Sequence, residues 1–384
     1  MRLALVAGPA AGHAFPMIAL GTRLQQAGHA VAIATGTQWQ SGIEAEGMHF
    51  VDLPLLKPSP MDGDFGYRMW GLPVGMAPPL VDRLTPWRPD ALVSDVITTV
   101  GGFCAGLMDL PWAQLIPHPL QDVSIALPPP GTGLAAGVTP EELRRDAYLR
   151  RKHLESARAG EEQRLAARVA LGLPPEGPPR VRLVATLPAL EVPRPDWPED
   201  AVVVGPMEWD PSTVELAAPD GEEPLVALSA STMSDVGPGL LEVALEGLEG
   251  AGLRLMCTRL EPFDSPVPAW ASVGPGRQDG MISAARLLVS GAGHGIIAKA
   301  LVRGKPLVVV PGEGEQRDNA NRLARLGVGE FVEAFELTPQ TLRAAVLKVL
   351  SSGEGGAYDH AARAAAETLN DTSDPVKTLE HHLA

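Results

Sequence analysis

The sequence predicts an α/β protein made of two similar, doubly wound halves joined by one linker. Three observations carry that expectation. Short apolar runs alternate with helical patterns from the first residues onward, the signature of βα units around a parallel sheet buried on both faces. Between Gly205 and Pro224 the stretch GPMEWDPSTVELAAPDGEEP loses all periodicity and gathers Pro, Gly and acids like an interdomain linker, after which the alternation starts again. The length of 384 residues suits two or three domains at about 150 residues each. The expected boundaries are 1–207 for the first half, 208–223 for the linker, 224–373 for the second half and 374–384 for a terminal helix.

In the first half, short runs of apolar, often β-branched residues place strands at 3–7, 29–35, 49–53, 91–94, 113–117, 183–186 and 202–204. Helices are expected at 16–27 and 99–108, with a long Arg- and Glu-rich helix at 140–171. In the second half the strands are expected at 225–229, 253–258, 287–290, 307–311 and 331–333, and the helices at 239–249, 296–303, 319–326 and 339–350. Two long segments fit neither period: 54–89, which holds Trp70 and Met76, and 117–139, which holds His118 and three consecutive prolines. Loops of that length in an α/β domain usually shape a binding site, so Trp70, Met76 and His118 are candidates for an apolar pocket.

Composition narrows the function. The 31 Lys and Arg against 46 Asp and Glu give a net charge of -15, which repels phosphate backbones and anionic lipid. Nucleic acid and membrane surfaces are therefore not expected as partners. Cys104 and Cys257 stand far apart with no metal-type spacing, which suits a reducing compartment, and the cytoplasm is the expected location. The apolar run 3–7 is too short for a signal sequence, and no apolar stretch reaches the roughly 18–20 residues needed to span a bilayer. Asp62-Gly63-Asp64 follows Pro and Met instead of a buried strand and reads as a solvated turn, and His381-His382 lacks further ligands, so no metal site is expected.

The stretch with most chemistry is LLVSGAGHGIIAKALVRGKPLVVVPGEGEQRDNANRLARLGVGEFV, residues 287–332. It reads strand, glycine loop, helix, strand, acidic and amide loop, helix. Gly291, Gly293 and Gly295 let backbone amides approach an anion at a helix start, so a phosphate or diphosphate is the natural ligand. Glu315 and Gln316 offer acceptors and donors suited to sugar hydroxyls. Helix capping alone would explain Asp318 or Asn319, though not the whole cluster.

These residues resemble the C-terminal signature of glycosyltransferase family 1, the GT-B enzymes that decorate natural products. That signature has a His-Gly-Gly-x-Gly-Thr loop, a Gly-x-Pro-Leu-Val strand and an Asp-Gln-x-x-Asn-Ala segment. GPAAGHAFPMIALGTRLQQAGHAVAIAT from Gly8 is similar to the family's Gly-His-x-x-Pro-x-x-x-Leu opening, and LVALSASTMSD from Leu225 to its diphosphate-binding turn. The resemblance covers nearly the whole chain. It implies a GT-B fold, two Rossmann-like doubly wound domains facing a central cleft, whose terminal helix packs back on the first half. It also implies a cytoplasmic, inverting, nucleotide-sugar-dependent transferase acting on a small hydrophobic acceptor, with a deoxysugar among the candidate sugars. By the same resemblance His13 would be the general base and Asp95 the carboxylate that orients it. Ser231, Thr232, Ser290, Gly291, Ala292, Gly293, His294 and Gly295 would hold the donor diphosphate. Glu315 and Gln316 would hold the sugar, and Trp70, Met76 and His118 would line the acceptor pocket. No metal ion and no cofactor is implied beyond the donor, a TDP- or UDP-sugar, and a homodimer is left open.

The chain departs from the signature. The family's loop histidine falls on Gly291 and its threonine on Ile296, while His294, at a variable position, would act with Ser290 as a substitute donor. Two other functions share the fold: a non-catalytic homologue that binds a nucleotide, a natural product or a partner enzyme, and a nucleotide-sugar epimerase that needs no acceptor.

Overall fold

The structure is a computed structural model that describes residues 1–56, 63–175, 177–229, 239–260 and 263–384. The first half opens with β1 (Arg2–Val6), α1 (Ala11–Gln26), β2 (Ala30–Thr35), α2 (Gln40–Ala45) and β3 (His49–Asp52). It continues with α3 (Leu72–Leu84), β4 (Ala91–Asp95), α4 (Val100–Leu107), β5 (Trp112–Ile116), α5 (Pro140–Ala170), β6 (Arg182–Val184) and β7 (Ala201–Val203). All seven strands pair in parallel in the order β3-β2-β1-β4-β5-β6-β7. Residues of β1 alternate between two cores as the period of a strand requires. Leu3 and Leu5 pack with Met17 and Leu20 of α1, while Ala4 and Val6 pack with Leu80 of α3 and Phe103 of α4.

The second half contains β8 (Leu225–Ser229), α6 (Leu240–Leu248), β9 (Arg254–Thr258), β10 (Ala271–Gly274), α7 (Gln278–Ala284) and β11 (Leu287–Ser290). After these come α8 (His294–Val302), β12 (Leu307–Val309), α9 (Glu315–Leu326), β13 (Gly329–Phe331), α10 (Pro339–Ser351), α11 (Ala357–Glu367) and α12 (Pro375–Leu383). Its parallel order is β10-β9-β8-β11-β12-β13. The chain is thus an α/β protein of two parallel sheets. In each, the strand order reverses beside the first strand, between β1 and β4 and between β8 and β11, and ligands of open α/β sheets bind at such switch points.

The chain passes between the halves twice. Residues 205–224 lead forward without regular structure, tied to the second half where the Gln278 amide donates to Asp210 (2.7 Å) and Arg303 pairs with Glu208 (2.9 Å). The return passage precedes α12, whose Leu379 and Leu383 are buried in the first-half core with Leu3 and Leu5. Each such leucine contributes roughly 1.5–3 kcal/mol by burial. The two passages touch: the Ser373 amide donates to the Val203 carbonyl at 2.9 Å.

Several elements differ from the sequence expectation. The segment 54–89 is no loop over much of its length: a π-helical turn, Tyr67–Gly71, runs into α3. Pro78 and Pro79 sit inside α3 and disguised it, since proline removes a helical donor. The short α2, α7 and β10 carry too few apolar positions to show a period, and α11 buries only small residues, Ala362 and Ala365. By contrast 117–139 has no helix or strand. Among the described residues no helix is long and apolar enough to cross a membrane.

Candidate active site

His13 lies in the first turn of α1, not in the loop before it, and Asp95 ends β4. Because β1 and β4 are neighbours, the helix that follows β1 brings the imidazole over the end of β4. Nδ1 of His13 stands 2.7 Å from Oδ1 of Asp95, whose side chain is fully buried while that of His13 is 21% exposed. The second carboxylate oxygen accepts from the Thr98 hydroxyl (2.8 Å) and the Ile97 amide (3.2 Å), and Thr98 Oγ1 in turn accepts from the Gly8 amide (2.8 Å). A relay of four groups therefore fixes the ring. Asp95 can only accept when ionised, so the proton of a neutral His13 sits on Nδ1 and the lone pair on Nε2, which has no hydrogen-bond partner among the described residues. Burial disfavours the imidazolium, but the hydrogen bond and charge of Asp95, helped by Glu315, outweigh it and leave the His13 pKa above the ordinary histidine value. Glu315 belongs to the other half, so residues of the two sheets act on one another across the cleft.

The first half also holds a cavity of about 450 Å³, on the face of the sheet opposite the Asp95 side chain. Ser94 and Val96, the chain neighbours of Asp95, line it together with Trp70, Phe103 and Trp112, a volume and lining typical of a small-molecule site. Trp70 sits in the π-helical turn, its ring 6.4 Å from that of Phe103. The other two residues expected there lie elsewhere. Met76 is on the inward face of α3 and packs into the sheet core, 4% exposed, and His118 is buried with its Nδ1 against the Pro119 carbonyl (2.9 Å).

On the second half, β11 ends at Ser290 and α8 begins at His294. Between them Ala292 takes a left-handed backbone, φ +62°, which L side chains seldom adopt, and its carbonyl accepts from Asn319 Nδ2 at 3.1 Å. The buried Ser290 hydroxyl faces the Ala292 amide at 3.4 Å, too long and weak to hold the loop by itself. Gly293 and Gly295 face open space, for a Cβ at either would meet nothing within 4 Å. The first amides of α8 have no partner within their helix, so the loop presents donors and a dipole to that space. His294 turns away from it. Its imidazole is buried, with Nε2 2.9 Å from the Thr186 hydroxyl of the first half and Nδ1 unpartnered among the described residues. Burial, with the neighbouring His118, pushes its pKa down to about 3, so it is neutral there. Ser231 and Thr232 lie outside the described residues, as does Asp62. Asp64 accepts from the Tyr67 amide at 2.9 Å, the turn role expected of it.

Glu315 and Gln316 open α9, after Gly314, whose φ of +60° and ψ of -125° suit glycine. Gln316 Oε1 accepts from the Gly312 amide at 2.9 Å. Asp318 does not merely cap its helix. Its carboxylate accepts the amides of Gly131 (2.6 Å) and Gly133 (2.8 Å), and Asn321 Nδ2 donates to the Gly133 carbonyl (2.9 Å). The proline-rich loop of the first half is thereby strapped across the start of α9, beside Glu315. Burial, offset in part by these amides, pushes the Asp318 carboxyl up. In Asp318→Ala both glycine amides lose their acceptor, and their hydrogen exchange is expected to quicken about tenfold or more with core amides unchanged. Unchanged exchange at both would refute the strap.

Thr98 was missed as a site-building residue although it had a signal, a hydroxyl three positions after the carboxylate that ends a strand. Asp318 was singled out within the acidic and amide cluster, but its partners, 185 and more residues away, left no local signal.

Two parallel sheets with their switch points turned to one cleft, a His–Asp pair on one lip and a glycine loop with a helix start on the other, are the architecture of GT-B nucleotide-sugar transferases. Residues 277–376 match the glycosyltransferase family 28 C-terminal domain. Over 98% of its length the chain is 25% identical to 4'-demethylrebeccamycin synthase of Lentzea aerocolonigenes, covering 99% of that protein. Among solved structures, the glycotransferase of kitacinnamycin superposes with a TM-score of 0.79 at 21% identity, covering 100% of this chain and 99% of that one. A Streptomyces sp. SF2575 glycosyltransferase complexed with thymidine diphosphate superposes with a TM-score of 0.67 at 19% identity, covering 99% of both. The chain is a GT-B glycosyltransferase, related to those of antibiotic biosynthesis.

Proposed function

We propose that the protein is an inverting glycosyltransferase that moves a sugar, plain or deoxy, from TDP or UDP to a hydroxyl of a small hydrophobic natural product. The observation that carries this reading is the His13–Asp95 pair, 2.7 Å apart, with the His13 Nε2 unpartnered among the described residues. In the reaction Nε2 takes the proton of the acceptor hydroxyl as that oxygen bonds to the anomeric carbon, and the bond from that carbon to the diphosphate breaks. Asp95 holds the ring and stabilises the imidazolium. The diphosphate leaves toward the amides of α8, where the helix dipole favours its charge. Glu315 and Gln316 hold the sugar hydroxyls, the first half takes the acceptor and the second the donor. The buried thiols Cys104 and Cys257 suit a cytoplasmic setting, where such donors are made.

One observation favours a second reading, a homologue that binds without transfer. Neither Gly291 nor Ile296 carries a side-chain donor, and His294 is engaged with Thr186, so the loop before α8 loses the side-chain donors that the signature places there. Calorimetric titration with thymidine, uridine and guanosine diphosphates, beside Gly295→Trp to fill the open space, separates the two. Binding of one diphosphate, lost in the variant, together with a sugar conjugate detected by mass spectrometry, is the expected result. No binding at millimolar ligand, or binding with no conjugate from any acceptor, would overturn the transferase reading.

A further inference from the structure

Helix α9 belongs to the second sheet by topology, yet one of its faces is bound to the first half. Asp318, Asn321, Arg322 and Arg325 recur at the spacing of a single helix face. Asp318 and Asn321 hold the backbone of Gly131 and Gly133, and Arg325 Nη2 donates to the carbonyls of Ala189 (2.6 Å) and Glu191 (3.0 Å). The opposite face serves its own half: Ala320 and Leu323 enter the second core, and Asn319 holds the Ala292 carbonyl. Leu187 and Leu190 of the first half are buried in that same core, 0% and 1% exposed. The helix is therefore wedged between the halves, not hung from one of them.

The seam under this face carries two opposed charges. Glu191 Oε1 accepts the Leu120 amide at 2.7 Å, while Glu191 Oε2 and Arg322 Nε are buried without a hydrogen-bond partner among the described residues. Burial pushes the Glu191 carboxyl up and the Arg322 guanidinium down, and of the charges that act on each, the other's is the strongest. Glu315 and Gln316 stand at the start of the same helix, Glu315 one turn before Asp318 and on its side. The Gly131 carbonyl oxygen lies 3.9 Å from where a Cβ on Gly314 would be, so the first-half loop passes close to the residue before Glu315. The Glu315 charge in turn acts on His13 of the first half. An α-helix is stiff over this length, roughly 15 Å from Glu315 to Arg325, so a grip on its far end governs where its start sits.

We propose that Asn321, Arg322 and Arg325, with Asp318 and Glu191, are positioning residues, whose hold on the first half fixes how far Glu315 and Gln316 stand from His13. The proposal rests on the transferase reading for what Glu315 and Gln316 hold, a sugar, but the spacing it asserts exists without any donor. Under that reading the half that carries the base also sets the place of the sugar, while the diphosphate is received by a different element, the start of α8. Loosening the far end of α9 is then felt at the sugar of a donor more than at its diphosphate.

The first readout is the titration of the His13 imidazole, followed by NMR in the intact protein without donor. Glu315→Gln sets the scale, since removing that charge is expected to lower the His13 pKa. Arg325→Met, and separately Asn321→Ala, which gives up a single hydrogen bond and puts folding less at risk, are expected to lower it by part of the same shift. Arg325→Lys, which can still donate to one carbonyl, is expected to recover it, and Arg325→Met is expected to add nothing in the Glu315→Gln background. The second readout is calorimetry with thymidine and uridine diphosphates and their glucose derivatives. In the Arg325 and Asn321 variants the ratio of the two dissociation constants is expected to move about threefold or more against the sugar nucleotide. A His13 titration unmoved in both folded variants, an equal shift in the Glu315→Gln background, or an unmoved ratio in a variant that binds the nucleotide would overturn the proposal. The expected His13 shifts in a protein that binds no nucleotide would keep these residues as positioning residues and remove the transferase reading instead.

Discussion

Replacing His13 with alanine is expected to lower kcat by roughly 10²–10⁴-fold with a much smaller effect on donor KM, because the general base acts only as the proton leaves the acceptor. The pH profile carries the same claim in a form that a misfolded variant would not mimic. His13 must be neutral to accept the proton, and its pKa is raised, so the acid limb of kcat/KM is expected above the ordinary histidine value. In Asp95→Asn the carboxylate's hydrogen bond and charge are lost, burial, already the largest single influence on the ring, is opposed only by Glu315, and the limb is expected to move to lower pH. Turnover falls in the same variant, since Asn does not stabilise the imidazolium and can hold the wrong tautomer. Wild-type turnover in His13→Ala on an identified acceptor would remove this base from the reaction.

The second large effect concerns stability. His294 is fully buried between the halves, and its pKa is depressed to about 3 in the folded chain. A depressed folded pKa means that the unfolded chain binds a proton which the native chain refuses. The associated stability is therefore complete above the unfolded histidine value of about 6.5 and is lost as pH falls toward the folded value. At about 1.4 kcal/mol per unit the loss is on the order of 5 kcal/mol, comparable with the whole stability of an ordinary domain. Denaturant titrations between about pH 7 and 4 should show a steep decline for the wild type and a shallower one for His294→Asn, which keeps a polar group near Thr186 but does not titrate. Parallel curves for the two proteins would show that some other group controls acid sensitivity.

The origin of this sensitivity also shows what the sequence could and could not say. Strands such as 225–229 and 287–290 were legible to the residue because a short, unbroken apolar run fits a strand buried on both faces and is too brief for a core helix. The places of Asp95 at a strand end and of His13, Glu315 and Gln316 after strands could be read from the sequence, and the action of the Asp95 and Glu315 charges on His13 brings three of the four together. His294 was legible as a residue of the glycine loop, but the direction of its ring was not, because Thr186 approaches from the other sheet. Met76 and Trp70 stand six positions apart in one segment, but Met76 faces the core from α3 while Trp70, in the π-helical turn before it, lines the cavity. Contacts made across 187 residues, as between Asp318 and Gly131, leave no local period to read.

The double passage between the halves sets how they can move. A single covalent connection would allow the second half to swivel, tilt and slide with respect to the first. Here the outgoing chain at Val203 and the returning chain at Ser373 are joined by a backbone hydrogen bond, so the two passages form one short ribbon. A ribbon resists twisting and stretching far more than bending across its width. Under the proposed reaction, a sugar seated on one lip would then approach an acceptor on the other along a restricted path, from a repeatable direction at every turnover.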